Sequence, residues 1–218
     1  MNDKLNELLE SRIDNGREYR RTAAIEVRAE GENEGQIVEG YAATFNQPYV
    51  LWDWGDYIVR EQIDPHAFDE CDMADTIMQY DHQGRVFARI SNNTLEVSTD
   101  HHGLKMRADL SGTELGRQLY EEIKGGYTTK MSFGFTVGED VRVVTENHET
   151  GVTEVLRTIT KISKLYDVSA VSLPANDATE ISARNIGDGV IAEVKAERLR
   201  AEKIERQKQR IRILKEAN

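Results

Sequence analysis

The chain has 218 residues, 39% hydrophobic and 31% charged, a globular composition with room for one substantial domain plus appendages. A net charge of −11 argues against nonspecific nucleic-acid binding, and no apolar run approaches the roughly 20 residues of a membrane helix. The lone Cys71 excludes an intrachain disulfide and fits a reducing compartment, while the charged opening "MNDKLNELLESRID" shows no apolar stretch of a secretory signal.

In chain order, Leu5, Leu8, Leu9 and Ile13 share a face at helical spacing, which predicts a short N-terminal helical arm within residues 1–20. From about residue 20 the texture becomes that of strands, beginning with "IVEGYAATF" at 37–45. "YVLWDWGDY" at 49–57 reads as an aromatic loop, either a lip facing a substrate or a flap folded over the core. Asp64 followed by Pro65 has the signature of a short helix start. "TIMQYDH" reads as a strand ending at His82, and "RVFARI", "TLEVS" and "GLKMRADL" follow as short strands.

Ser111 with Glu114 forms a candidate capping box for a helix over 111–126, closed by Gly125 and Gly126. "TTKMSFGFTV" at 128–137 alternates large Met131, Phe133, Phe135 and Val137 with small Ser132, Gly134 and Thr136. That is a strand with one packed face and one face kept clear of bulk. A hairpin follows around residues 148–151, then a long apolar run, "ISKLYDVSAVSLPA", that reads as a central strand. Residues 190–217 read as a charged helix; 191–218 hold nine Lys or Arg against five Glu, a net +4 that leaves −15 on the remainder. These boundaries give an arm at 1–20, a domain at 21–186 and a basic tail at 187–218. The fold class is α+β and strand-rich. Many short, closely spaced strands point to a barrel or a sandwich, and the lack of strand–helix alternation argues against a doubly wound parallel sheet.

The chemistry is sparser. No HExxH, CxxC, GxGxxG or GxxxxGK[ST] pattern is present, so neither a metal nor a nucleotide cofactor is indicated. "DHHG" at 100–103 sits at a turn, where a solvated loop is the simpler reading. Cys71 lies five residues after His66, which leaves a cysteine hydrolase open, although a single cysteine is usually a small buried hydrophobe. Ser132, on the clear strand face, is the better nucleophile. It needs a general base, and His82 at a strand end is the candidate. Asp167 interrupts an otherwise apolar run; a carboxylate there requires a partner, and an imidazole to orient would supply one. Spacing alone leaves a strand-rich domain with a possible serine hydrolase site.

Six segments in order resemble the tailed-phage prohead maturation proteases. They are "EGYAATFN", "IDPHAF" (with His66 where glycine is usual), "YDHQGRVFARI", "STDHHGLKMRADL", "ELGRQLYEEIKGGYTTKMSFGF" and "KLYDVSAVSLPANDAT". Together they span about residues 37–184. The resemblance implies an assemblin-like fold, as in the herpesvirus serine proteases: a closed or partly closed antiparallel β-barrel with peripheral helices. It implies His82 as general base and Ser132 as nucleophile. Asp167 matches the acidic position of an acidic–valine–serine motif, where the longer glutamate is common. The implied substrates are the major capsid protein, scaffolding segments and the chain itself, inside the assembling prohead in the bacterial cytoplasm. Self-association is compatible with this; a specific nucleic acid, a membrane and a cofactor are not implied. An extended peptide is expected beside the clear face of the Ser132 strand, with Gly134 permitting close approach. The alternatives are a non-catalytic scaffolding or capsid-assembly chaperone that kept the fold, and a small-molecule hydrolase. The missing GxSxG elbow weighs against the commonest form of the latter.

Overall fold

Alternating burial along the chain builds most of the described residues into strands. The computed structural model describes residues 17–27 and 35–172, with 21–27 described by backbone alone. All of them belong to one unit, Asp14–Pro174. The N-terminal arm before residue 17 and the basic tail lie outside the described residues.

The strands are β1 (Glu18–Val27), β2 (Ile37–Thr44), β3 (Tyr49–Asp53), β4 (Tyr57–Ile63), β5 (Ile77–Tyr80), β6 (Gln83–Arg89), β7 (Leu95–Thr99), β8 (Gly103–Asp109), β9 (Lys130–Glu146) and β10 (Thr153–Val171), with a helix α1 (Glu114–Lys124) before β9. They form one sheet in the order β3-β4-β10-β9-β1-β2-β8-β7, with β5 added to β10 and β6 to β5. The 19-residue β10 is the spine. One of its edges pairs along β9; the other is shared, first by β4 and then by β5.

This corrects the expected barrel. The sheet is open, ending in the five-residue strands β3 and β7, each of which has a partner on one side. It is also mixed: β10 runs parallel to β4 and β5, as crossover connections allow and hairpins do not. Three local expectations also change. The aromatic stretch at 49–57 is the β3–β4 hairpin, in which Trp52 is buried and stacks on Trp54. The segment after Asp64 forms turns, with the Asp64 carboxylate accepting the His66 N–H at 2.8 Å. The cap of α1 is Thr113, whose Oγ1 accepts the Gly116 N–H at 2.9 Å, in place of Ser111. Its buried face is Gly116, Leu119, Tyr120 and Ile123.

The core lies on the face of β9 that carries Met131, Phe133 and Phe135, all fully buried. Phe133 and Phe135 stack at 4.6 Å and pack with Phe68, Leu104, Met106, Leu165 and Val168. At the Phe135 end this face meets a buried charge network. Arg20 of β1 binds Glu18 and, at 2.5 Å, Glu61 of β4. Arg157 of β10 binds Glu61 at 2.7 Å, Glu18 at 3.1 Å and Asp140 at 2.8 Å. Tyr49 donates to Glu61 at 2.5 Å. Burial by itself would raise the Glu61 carboxyl, but the Arg20 and Arg157 guanidiniums and the bond from Tyr49 hold it below the usual range. The ion pairs thereby cross-link four strands, and Tyr49 ties in a fifth, β3.

Candidate active site

The sheet brings three distant residues together. Ser132 is the third residue of β9 and has no exposed surface. On one side it pairs with Ser169 of β10, and on the other with Arg21 of β1. Asp167 of β10 lies opposite Gly134, two residues along β9 from Ser132.

Asp167 reaches that face because of a register shift. Leu165 pairs with Phe135 and is core; two residues on, Asp167 would point into the core as well. The ladder shifts between Leu165 and Asp167, the extra residue being Tyr166. After it, Asp167 and Ser169 share the face of Ser132 and Gly134, while Val168 pairs with Phe133 on the core side. The irregularity explains how a carboxylate fits into an apolar strand.

His82 arrives from the other direction. Tyr80 and Gln83 pair across a two-residue turn made of Asp81 and His82, with φ of 49° and 59°. Left-handed backbone at both central positions defines a type I′ hairpin turn. The turn closes against β10: the Asp81 N–H donates to the Ala170 carbonyl at 3.0 Å. From there the His82 ring meets both partners. Its Nδ1 lies 2.6 Å from Asp167 Oδ1 and its Nε2 lies 2.5 Å from Ser132 Oγ. With the Nδ1 proton toward the carboxylate, the neutral ring offers Nε2 as acceptor to the seryl O–H. The His82 side chain is 12% exposed and the Asp167 side chain 3%.

Three neighbours complete the cluster through contacts that sequence spacing does not show. Ser169 Oγ donates to the same Asp167 Oδ1 at 2.6 Å, so that oxygen accepts two bonds. Its place two residues after the acid, on an alternating strand, is the available signal. Tyr19 of β1 packs its ring on His82, centroid to centroid 4.4 Å; nothing in its local sequence points to this. Gly134 is the third. A Cβ there would overlap Asp167 Oδ2 and come within 2.7 Å of Tyr19 Cε1.

These contacts correct the expected docking strip. At Ser132 both edges of β9 are already paired, and the clearance at Gly134 holds Asp167 and Tyr19 in place of a peptide. The other candidates lie apart from this cluster. His66 Nδ1 is 3.0 Å from Asp69, and Cys71 Sγ faces the Asp72 carbonyl at 3.8 Å, with burial pushing the thiol up to about 11. Asp100 accepts from Tyr41 at 2.7 Å and from the His102 N–H at 2.7 Å, a structural turn. No group of three or more His, Cys, Asp or Glu with metal-binding geometry occurs among the described residues.

A family model described as caudovirus prohead serine protease matches residues 23–190. The chain belongs to that family. The match takes in β2 to β10, and with them the segments that carry His82, Ser132 and Asp167. Among solved structures, the bacteriophage T4 capsid assembly protease gp21 aligns over 72% of this chain and 98% of its own, at a TM-score of 0.40 and 11% identity. At that distance the alignment carries no weight for the site. No curated protein matches the chain. No described helix is long and apolar enough to cross a membrane.

Proposed function

We propose that this member of the prohead protease family is a serine endopeptidase in which Ser132 is the nucleophile, His82 the general base and Asp167 the orienting acid. The observation that carries this is the continuous line Asp167–His82–Ser132, with contacts of 2.6 and 2.5 Å. In the proposed reaction Ser132 Oγ attacks a peptide carbonyl as His82 Nε2 takes its proton. Asp167 holds the ring with Nδ1 protonated and stabilises the imidazolium. His82 then protonates the leaving amine. Water activated by His82 releases the acyl group from Ser132. Ser132 has no exposed surface, so a carbonyl reaches it only after a local opening beside His82.

The substrates proposed are the coat protein, scaffolding segments and the chain itself, processed inside the assembling head. Family membership supports this reading. The basic tail at 187–218 is proposed as the part that carries the enzyme into the shell, through the +4 charge of residues 191–218. Co-expression with the coat protein of the same phage tests the assignment. The parent chain is expected to yield truncated coat protein, and Ser132→Ala full-length coat protein, a loss of about 10⁴-fold or more in rate. Equal processing by both would make the protein a scaffold that kept the fold, or move the chemistry elsewhere.

A further inference from the structure

The general base proposed above stands on left-handed backbone. Asp81 and His82 both have positive φ; a type I′ turn takes Asn, Asp or Gly first and Gly second, so Asp81 fits its place while His82 stands where glycine is usual. The strand that follows gives little support: Gln83, Gly84, Arg85 and Val86 are all exposed. What does hold the turn is Asp81. Its Oδ1 accepts the Ser172 N–H at 3.0 Å and its Oδ2 accepts the Ser172 hydroxyl at 2.9 Å. Its own N–H donates to Ala170 at 3.0 Å. All three bonds end on β10 or the residue just after it. That strand also carries Asp167 and Ser169, so base and acid are referenced to a single element.

We infer that Asp81 is a positioning residue: its carboxylate, clamped on Ser172, fixes the left-handed turn that aims His82 Nε2 at Ser132. This rests on the reading of His82 as general base. Asp81 touches neither Ser132 nor Asp167 in the hydrogen-bond network and acts only through the turn. Two roles must be separated, tolerance of positive φ and the clamp itself. Glycine keeps the first and loses the second. Asparagine keeps both, since its carbonyl accepts the Ser172 N–H and its amide donates to the Ser172 hydroxyl.

The test is the inactivation rate constant kinact and the binding constant KI of a fluorophosphonate serine probe on the full chain, with melting temperature measured alongside. The expected result is Asp81→Asn within about threefold of the parent in kinact, with Asp81→Gly and Asp81→Ala down by about 100-fold and KI unchanged, the scale of an ångström-level misplacement. Ser172→Ala, which loses only the hydroxyl bond, should fall by about threefold to tenfold and serves if the glycine variant fails to fold. The inference is overturned if the glycine variant reacts as fast as the asparagine variant, if the asparagine variant falls with the others, or if the loss is in KI. A Ser132→Ala chain that still reacts at the parental rate overturns the catalytic reading itself, a separately readable failure.

Discussion

The two faces of the β1–β9–β10 sheet both bury polar networks, and they are built on opposite logic. On the core side, Glu18, Arg20, Glu61, Arg157 and Asp140 pair so that each charge has an opposite partner. On the other side, one carboxylate accepts from a serine and an imidazole, and the imidazole faces a second serine. The first arrangement is electrostatically closed. Its charges are matched within the network, and its ion pairs join four strands. The second leaves one imidazole between a carboxylate and a serine hydroxyl, with 12% of the His82 side chain exposed. Buried polarity alone therefore does not mark a reactive site. The proposed site rests instead on an unbalanced network, open at one residue.

The contrast can be broken from either side. The largest effect is expected on the reactive face. Asp167→Asn keeps shape but removes the charge that holds the His82 tautomer, so the rate of coat-protein cleavage should drop by about 10⁴-fold with an unchanged melting temperature. Next comes the core face. Arg157→Ala leaves Glu18, Glu61 and Asp140 without one of their partners, and urea unfolding should show a loss of about 3–5 kcal/mol. In the cold, where the variant remains folded, its kinact should stay within a few-fold of the parent. A catalytic defect equal to that of Asp167→Asn would merge the two networks into one.

The smallest effect concerns acid. Arg20 and Arg157 hold the Glu61 carboxyl below its ordinary value against the opposing effect of burial. Its contribution to stability is therefore complete above the unfolded-state value, about 4.3, and is lost as pH falls through the depressed folded value. The parent should lose more stability between pH 5 and about pH 2 than Glu61→Gln, by urea midpoints. Parallel losses would mean that Glu61 is not the group being titrated.

Periodicity makes most of the strands legible in the amino-acid sequence and marks His82, Ser132 and Asp167 as candidates, while their roles come from the resemblance to the prohead proteases. Clean alternation in "GLKMRADL" and "KMSFGF" marks strands because their inward residues are bulky. Ser132 stands out because its own face is not. The closure of the sheet is not legible. Strand spacing does not say whether β10 continues around or divides one edge between β4 and β5. Sequence misplaces the helix cap because Ser111 and Thr113 are chemically alike and only the backbone separates them. Gly134 reads as room for a substrate because sequence shows the missing Cβ and not what fills the gap. The turn at Asp81 and His82 is hidden because His82 stands where the glycine that advertises left-handed backbone is expected. The bulge at Tyr166 is hidden because the register of β10 shifts several times between Ile159 and Asp167, with Ile159, Ile162 and Leu165 buried at a spacing of three that plain alternation does not describe.

The most direct test of the central claim is the site of covalent capture. The full chain, co-expressed with its coat protein, is treated with a fluorophosphonate probe, and the labelled peptide is mapped by mass spectrometry. The account predicts one adduct, on Ser132, lost in His82→Ala and retained in Arg157→Ala. An adduct on another residue, or equal labelling of Ser132 when His82 is alanine, would contradict it.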